Sequence, residues 1–402
     1  MRGLKVAVAG CGPCGLATAL LLSRQGHRVA LFERFDAPRP IGSGLMIQPT
    51  GLAVLDKLGL SERLISEGAR IERLFGTAGQ RTVLDVRYEW LGPGDWFGVG
   101  VHRSTLFDVL HDALVDEGIP ILTGTTISGS RLETKGRRII FESGGASEPY
   151  DLVIDALGTR SLLAEPCGRE LAYGALWATL DWPHGAGFDL AALQQRYQRS
   201  KIMIGLLPIG IGRSGQSKAA FFWSLKCDQL DQWRAAGLDA WKADVRSLWW
   251  EMDPVLDQII DAEQLTFARY SHRTLRRSAE PALIHLGDAW HSASPQLGQG
   301  ANMAMLDAWS LARALERSAN MDEALRVAVK MRRRHIQLYQ WLTAIFTPVY
   351  QSDSRVLPFL RDRIVGPLSK IWPATWIQAA MVSGLIGNPL PGLGLDAGCR
   401  AP

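Results

Sequence analysis

Gly10, Gly12 and Gly15 stand between an apolar run and a helical one, and that spacing constrains the fold more than any other feature of the chain. Leu4 to Ala9 (LKVAVA) reads as a buried parallel strand, Cys14 to Gln25 as a helix, and Arg28 to Glu33 (RVALFE) as a second strand. A G-x-G-x-x-G loop in that setting is the first turn of a βαβ unit that binds a dinucleotide. Gly10 permits the tight turn, Gly12 lets the backbone approach a pyrophosphate, and Gly15 lets helix and strand pack closely. The helix start offers its positive end to the phosphate charge. Glu33, closing the second strand, is placed to bond the ribose hydroxyls of the adenosine half. Pro13 in the loop and Arg34 beside Glu33 complete this candidate set.

The loop also contains Cys11-Gly-Pro-Cys14, the spacing of a thioredoxin-type redox pair. A redox pair needs its own fold, and this loop is already committed to phosphate. The two cysteines are therefore read as small residues in variable slots. Cys167, Cys227 and Cys399 are scattered without metal-ligand spacing. Reduced thiols point to the cytoplasm. The chain enters its first strand almost at once, so no signal peptide is expected.

The 402 residues suffice for two layered units, and a net charge of +4 is too small to argue for nucleic acid. Arg332-Arg333-Arg334 reads as a solvated helix face. Trp223, Trp233, Trp241, Trp249 and Trp250 read as core packing, with an aromatic-walled pocket as the sharper alternative. The expected class is α/β: a Rossmann-like cofactor domain from residues 1–165 and 265–350, interrupted by a mostly antiparallel substrate sheet over 166–264. Arg70 to Arg87, within the first block, reads as paired strands. Helical text broken by prolines follows over 351–402. Its apolar stretch, Ile371 to Ile386, is expected to pack on the inserted sheet or on a second copy. Membrane contact is not expected, and a monomer or homodimer is.

A second constellation decides the cofactor. Gly287-Asp288-Ala289-Trp290-His291 is followed by Pro295 and by Gly298-Gln299-Gly300-Ala301-Asn302. A strand delivers Asp288 to the end of the sheet, where a carboxylate can hold ribitol hydroxyls. Pro295 stiffens the loop, Gly298 and Gly300 allow close backbone approach, and the helix starting near Ala301 aims its positive end at an electron-rich ring. A reduced isoalloxazine requires this; a nicotinamide site does not. The residues alone thus lead to FAD held non-covalently in a cleft.

With both motifs in view, residues 4 to 346 resemble the FAD-dependent aromatic hydroxylases of the para-hydroxybenzoate hydroxylase type, the class A flavoprotein monooxygenases. The matching residues are Gly10, Gly12 and Gly15 with Glu33, then Arg103 at a helix start, Asp155 to Ser161, and Gly287 to Asn302. The resemblance implies that Arg103 contacts FAD, that Asp288 binds its ribitol, and that Pro295 to Asn302 line the ring. It further implies reduction by NAD(P)H, addition of O2 to give a flavin C4a-hydroperoxide, and oxygen transfer to a small aromatic or heteroaromatic substrate. Leu157 stands where the family carries an Asp. His291 is the candidate proton carrier, against a role in bonding the cofactor loop. Tyr173 and Trp177, four apart with Ala175 between them on one face of a strand of the inserted sheet, are the candidate substrate contacts. Two alternatives stay open: an FAD-linked oxidase or epoxidase acting on a lipophilic or carrier-bound substrate, and a non-catalytic flavin-binding protein. A halogenase is not expected, because Trp249-Trp250-Glu251-Met252-Asp253-Pro254 does not match the motif it should carry.

Overall fold

The computed structural model describes residues 1–37 and 43–396. Cys399 and part of the loop from Phe35 to Gly44 lie outside the described residues.

Three strands form the centre of the molecule. Lys5–Ala9 pairs in parallel with Arg28–Phe32 on one side and with Leu152–Asp155 on the other. Leu283–His285 extends the sheet beyond Leu152–Asp155, again in parallel. These strands are near-continuous apolar runs because both faces of the sheet are covered, one by helices and the other by the hairpin Ile127–Glu133 and Gly136–Phe141. The register puts Ala9 beside Phe32 and Asp155, and Asp155 beside His285. The Gly10 loop, Glu33, the Asp155 turn and the Gly287 turn therefore leave the sheet at the same edge. Open parallel sheets bind ligands outside that carboxyl edge.

The helices Pro13–Arg24, Arg103–Asp116, Gly300–Arg317 and Met321–Tyr350 pack against this sheet, sharing one apolar core. A small antiparallel sheet, Gly44–Ile47 with Gly98–His102 and Ala69–Ile71, bridges to a larger one. The bridge depends on absent side chains. A Cβ on Gly100 would stand 2.1 Å from the Pro208 carbonyl oxygen, and one on Gly44 2.3 Å from Ala220 Cβ.

The larger sheet has seven strands and is antiparallel except at one pairing. Tyr173–Asp181, Lys218–Lys226, Ile202–Pro208 and Ala192–Gln198 form its middle. The hairpin Arg73–Ala78 and Arg81–Arg87, expected within the cofactor block, instead completes this sheet by pairing in parallel with Ala192–Gln198. Its inward residues Leu74, Val83 and Val86 are buried there, which supplies the reason for the crossing.

Each face of the sheet has its own cover. Leu176, Ala178, Phe221 and Trp223 pack under the helix Leu238–Leu248, against Trp241, Val245 and Trp249. The tryptophan cluster is thus core, except for Trp250, which is exposed. The opposite face carries Trp177, Phe222, Tyr197 and Leu193. Ala379 and Val382 of the helix Ala374–Val382 pack nearby, with Trp177 and Leu193 against the same cluster.

The end of that helix is fastened through its carbonyls. Gln299 Nε2 donates to Val382 O at 2.5 Å, Tyr339 Oη to Met381 O at 3.0 Å, and His335 Nε2 to Gly384 O at 3.1 Å. His335 Nδ1 accepts from the Arg332 guanidinium at 2.9 Å, which fixes the ring in its neutral Nε2–H form. Burial, reinforced by the Arg332 charge, pushes the His335 imidazole down to about 3. In the unfolded chain the ring takes up its proton below 6.5, the ordinary value; in the folded chain it resists. Its contribution to stability is complete above pH 6.5 and declines as the pH falls from there toward 3. The melting temperature should accordingly drop between pH 7 and pH 5. His335→Gln, which keeps a donor and an acceptor but cannot titrate, should flatten that slope in thermal melts; parallel slopes would count against this role.

Candidate functional site

The glycine loop is shaped as its sequence implies. Gly10 has a φ of +104°, and a Cβ there would lie 2.6 Å from Ala156 O. A Cβ on Gly15 would lie 2.0 Å from Gly10 O, so helix and strand touch at this point. At Gly12 a Cβ would meet open space. Gly12 is also the N-cap of the helix Pro13–Arg24, and no side chain caps it. Unpaired backbone N–H groups facing open space form an anion site.

Glu33 is half-buried beside this loop. One carboxylate oxygen accepts the Cys11 amide at 2.9 Å; the other accepts the Arg34 amide at 2.8 Å and the Phe35 amide at 3.3 Å. It therefore braces the glycine loop and the turn after the second strand together. Arg34 is exposed, its guanidinium over the Phe35 ring. Cys11 and Cys14 are free, buried thiols. Burial, with Glu33 adding to it, pushes the Cys11 thiol up to about 12, and burial raises Cys14 well above its usual value. Neither supplies a thiolate at neutral pH.

The Gly287 turn sits against the same helix. Gly287 has a φ of +57°, and a Cβ there would press on Cys14 and Ala304. Asp288 follows between two buried neighbours, yet its own side chain is exposed. Surrounding protein raises its carboxyl above the ordinary range, against the pull of His291 and Arg103. A group crowded by protein but open to solvent lines a cleft. Arg103, exposed at the start of its helix, is the cation of the sequence set that acts on Asp288.

Pro295–Leu297 forms a single helical turn, and Gly298 reverses the chain at φ +62°. The helix Gly300–Arg317 then begins with no side-chain cap, Gly300 exposed and Ala301 half-buried. Asn302 is fully buried and holds the loop in place. Its Oδ1 accepts the Gln48 amide at 2.8 Å, and its Nδ2 donates to Met46 O and Gly298 O. Gln48 in turn accepts the Tyr88 hydroxyl at 2.5 Å.

His291 is buried. Its Nε2 donates to Asp307 Oδ2 at 2.6 Å. The same oxygen accepts the Gly287 amide at 3.0 Å, and Oδ1 accepts Arg332 Nε at 2.7 Å. Burial works to raise the Asp307 carboxyl, but His291 and Arg332 outweigh it and hold the group below the ordinary range. Arg332 is completely buried, which corrects its reading as a solvated residue. The signal was present in the sequence: Arg332 lies at helical spacing between Ala328 and Ile336, on the apolar face.

Asp155 explains the altered turn at Leu157. Its Oδ1 accepts the Leu157 amide at 3.1 Å, and its Oδ2 accepts from Ser161 Oγ and His285 Nδ1, each at 2.6 Å. Asp155, two residues before Leu157, is fully buried and braces the turn from below. Leu157 itself packs beside Phe32 and Val153.

The two candidate substrate contacts part company. The Tyr173 hydroxyl donates to Asp353 at 3.2 Å with Lys226 near its ring, so it belongs to an ion cluster at the sheet edge. Trp177 lies 4.8 Å from the Phe222 ring and donates Nε1–H to the Tyr270 hydroxyl at 2.8 Å. Burial raises that hydroxyl, so it stays protonated. Tyr270, Gln48 and Tyr88 carry no motif in the sequence and emerge only from the fold.

The set fits FAD: an open glycine loop at an uncapped helix, an accessible acid at the strand end, and a second uncapped helix start. No helix among the described residues is long and apolar enough to cross a membrane. A sequence profile of the FAD binding domain family matches residues 3–338. An aurachin C monooxygenase/isomerase of Stigmatella aurantiaca is 26% identical over 340 residues, covering 80% of this chain and 83% of that one. A 2-heptyl-3-hydroxy-4(1H)-quinolone synthase of Mycobacteroides abscessus is 25% identical over 383 residues, covering 90% and 91%. In fold, the chain is similar to the tetrameric form of 2-methyl-3-hydroxypyridine-5-carboxylic acid oxygenase, with a TM-score of 0.78, 19% identity, and 94% and 96% of the two chains covered. The chain belongs to the FAD-dependent aromatic hydroxylases of the para-hydroxybenzoate hydroxylase type, and it is an FAD-dependent oxidoreductase.

Proposed function

We propose that this enzyme uses NAD(P)H and O2 to place one oxygen atom on a small aromatic or heteroaromatic compound. The observation that carries the reading is the convergence of the Gly10 loop, Asp288 and the uncapped Gly300 helix start at one sheet edge. Names of similar proteins support the substrate class, since they specify a quinolone and a hydroxypyridine carboxylic acid. Bound FAD supplies the electron transfer and oxygen activation.

The chain's own residues bind and orient. Gly10, Gly12, Pro13 and Gly15 would hold the pyrophosphate, and Glu33 with Arg34 the adenosine half. Asp288 would take the ribitol with Arg103 beside it. Pro295, Gly298, Gly300, Ala301 and Asn302 would line the ring, with the helix dipole favouring negative charge there. Trp177 and Tyr270 offer an aromatic wall and one hydroxyl to the substrate. His291 acts on the loop through Asp307 rather than on the substrate.

A second reading of the substrate, as a lipophilic compound, has its own support. An apolar cavity of about 680 Å³ lies between Leu91 and Trp96 on one side and Trp376, Ala380, Leu385 and Ile386 on the other. The heptyl group in the name of one relative is of that character.

Asp288→Ala should weaken FAD binding by about 1.5–3 kcal/mol, the usual value of a hydrogen bond to a charged group. Fluorescence titration of the apoprotein measures it, and unchanged affinity would sink the ribitol assignment. Turnover with labelled O2 should put one labelled atom in the product for each NAD(P)H consumed; label absent from the product would favour the oxidase. Leu157 offers no acceptor to a nicotinamide, so anaerobic reduction without substrate should be slow and should quicken when substrate is added. Leu157→Asp should retain FAD, as read from its absorbance.

A further inference from the structure

Of the nineteen large apolar side chains that stand exposed among the described residues, eleven lie between Trp341 and Ile377. Trp372 is 79% exposed, Ile371 61% and Trp341 61%. The elements that carry them touch one another. Val356–Leu360 packs on the helix Met321–Tyr350, and Gln378 of the helix Ala374–Val382 donates to Ser369 O at 2.7 Å. Isolated apolar residues on a surface need no explanation, but a concentration like this marks a contact surface.

The charges of the stretch identify what it contacts. Arg355, Arg363 and Lys370 are exposed among the apolar residues. The acids are engaged, Asp353 with Lys226 and Asp362 with Arg361. A two-fold dimer through this face would bring two sets of the same three cations into one interface, where the acids are already engaged. A bilayer with anionic headgroups satisfies both components, since tryptophan favours the interface and each surface cation is attracted to it. A chain without a spanning helix can lie on a membrane in this way.

We propose that the surface between Trp341 and Ile377 seats the enzyme on an anionic bilayer. Trp376 belongs to this surface and also lines the apolar cavity, so a lipophilic substrate leaving the bilayer meets the cavity directly. That last step rests on the functional reading above; the membrane contact does not.

The test sediments the FAD-loaded enzyme with vesicles of phosphatidylcholine, with and without phosphatidylglycerol. Binding should be strong on the anionic vesicles, weak on the neutral ones, and reduced by salt. Ile371→Ser with Trp372→Ser should lower the partition by at least about tenfold, and Trp341→Ser, on a separate helix, should lower it too. Arg363→Glu with Lys370→Glu should do the same while FAD content is retained. Failure of the native enzyme to sediment with anionic vesicles would overturn the proposal. So would charge-reversed protein that binds as well as native, or a native dimer that Trp372→Ser splits while vesicles remain unbound. Sedimentation is scored without turnover, so its result stands apart from the chemistry.

Discussion

A carboxylate sunk in a protein interior must be neutralised, and Asp307 is neutralised by three groups from three different elements. Gly287 donates from the turn that presents Asp288, His291 from the short strand after it, and Arg332 from the helix behind. Such a pair is a weak source of net stability, because desolvation offsets the attraction. Its effect is on geometry: each partner must hold its place or leave a charge uncompensated. Arg332 then passes the constraint to His335 and through it to Gly384. The loop expected to meet the flavin and the segment around Gly384 that packs against it are thus fixed by one buried chain of hydrogen bonds.

The seven-stranded sheet divides labour between its faces. One face is sealed by tryptophans against the helix Leu238–Leu248 and is ordinary core. The other face stays only partly covered, with Trp177 and Leu193 half-buried. The glycines at 44 and 100 bring this sheet close to the cofactor side, where a side chain would force the two apart.

Much of this was legible in the sequence where local pattern and local structure coincide. The βαβ unit, its glycine loop and the Gly287 to Asn302 segment are contiguous, so spacing alone revealed them. The long helices were visible from periodicity. What escaped was non-local. The Arg73–Arg87 hairpin reads as a strand pair, but nothing in it names its neighbour Ala192–Gln198, far along the chain. Arg332 read as solvated because it heads a run of three arginines, and its partner lies on another helix. Tyr173 and Trp177 share a face by alternation, yet one reaches an ion cluster and the other a buried tyrosine, according to what packs above each end of the strand.

The buried cysteines of the glycine loop have a consequence for how the chain meets oxidants. With the Cys11 thiol pushed up to about 12, the thiolate is scarce at neutral pH. Peroxide attacks thiolates, so the phosphate-binding turn is shielded from such oxidants. Cys167 carries no such shield: among the described cysteines it is the exposed one, and the one most open to oxidation.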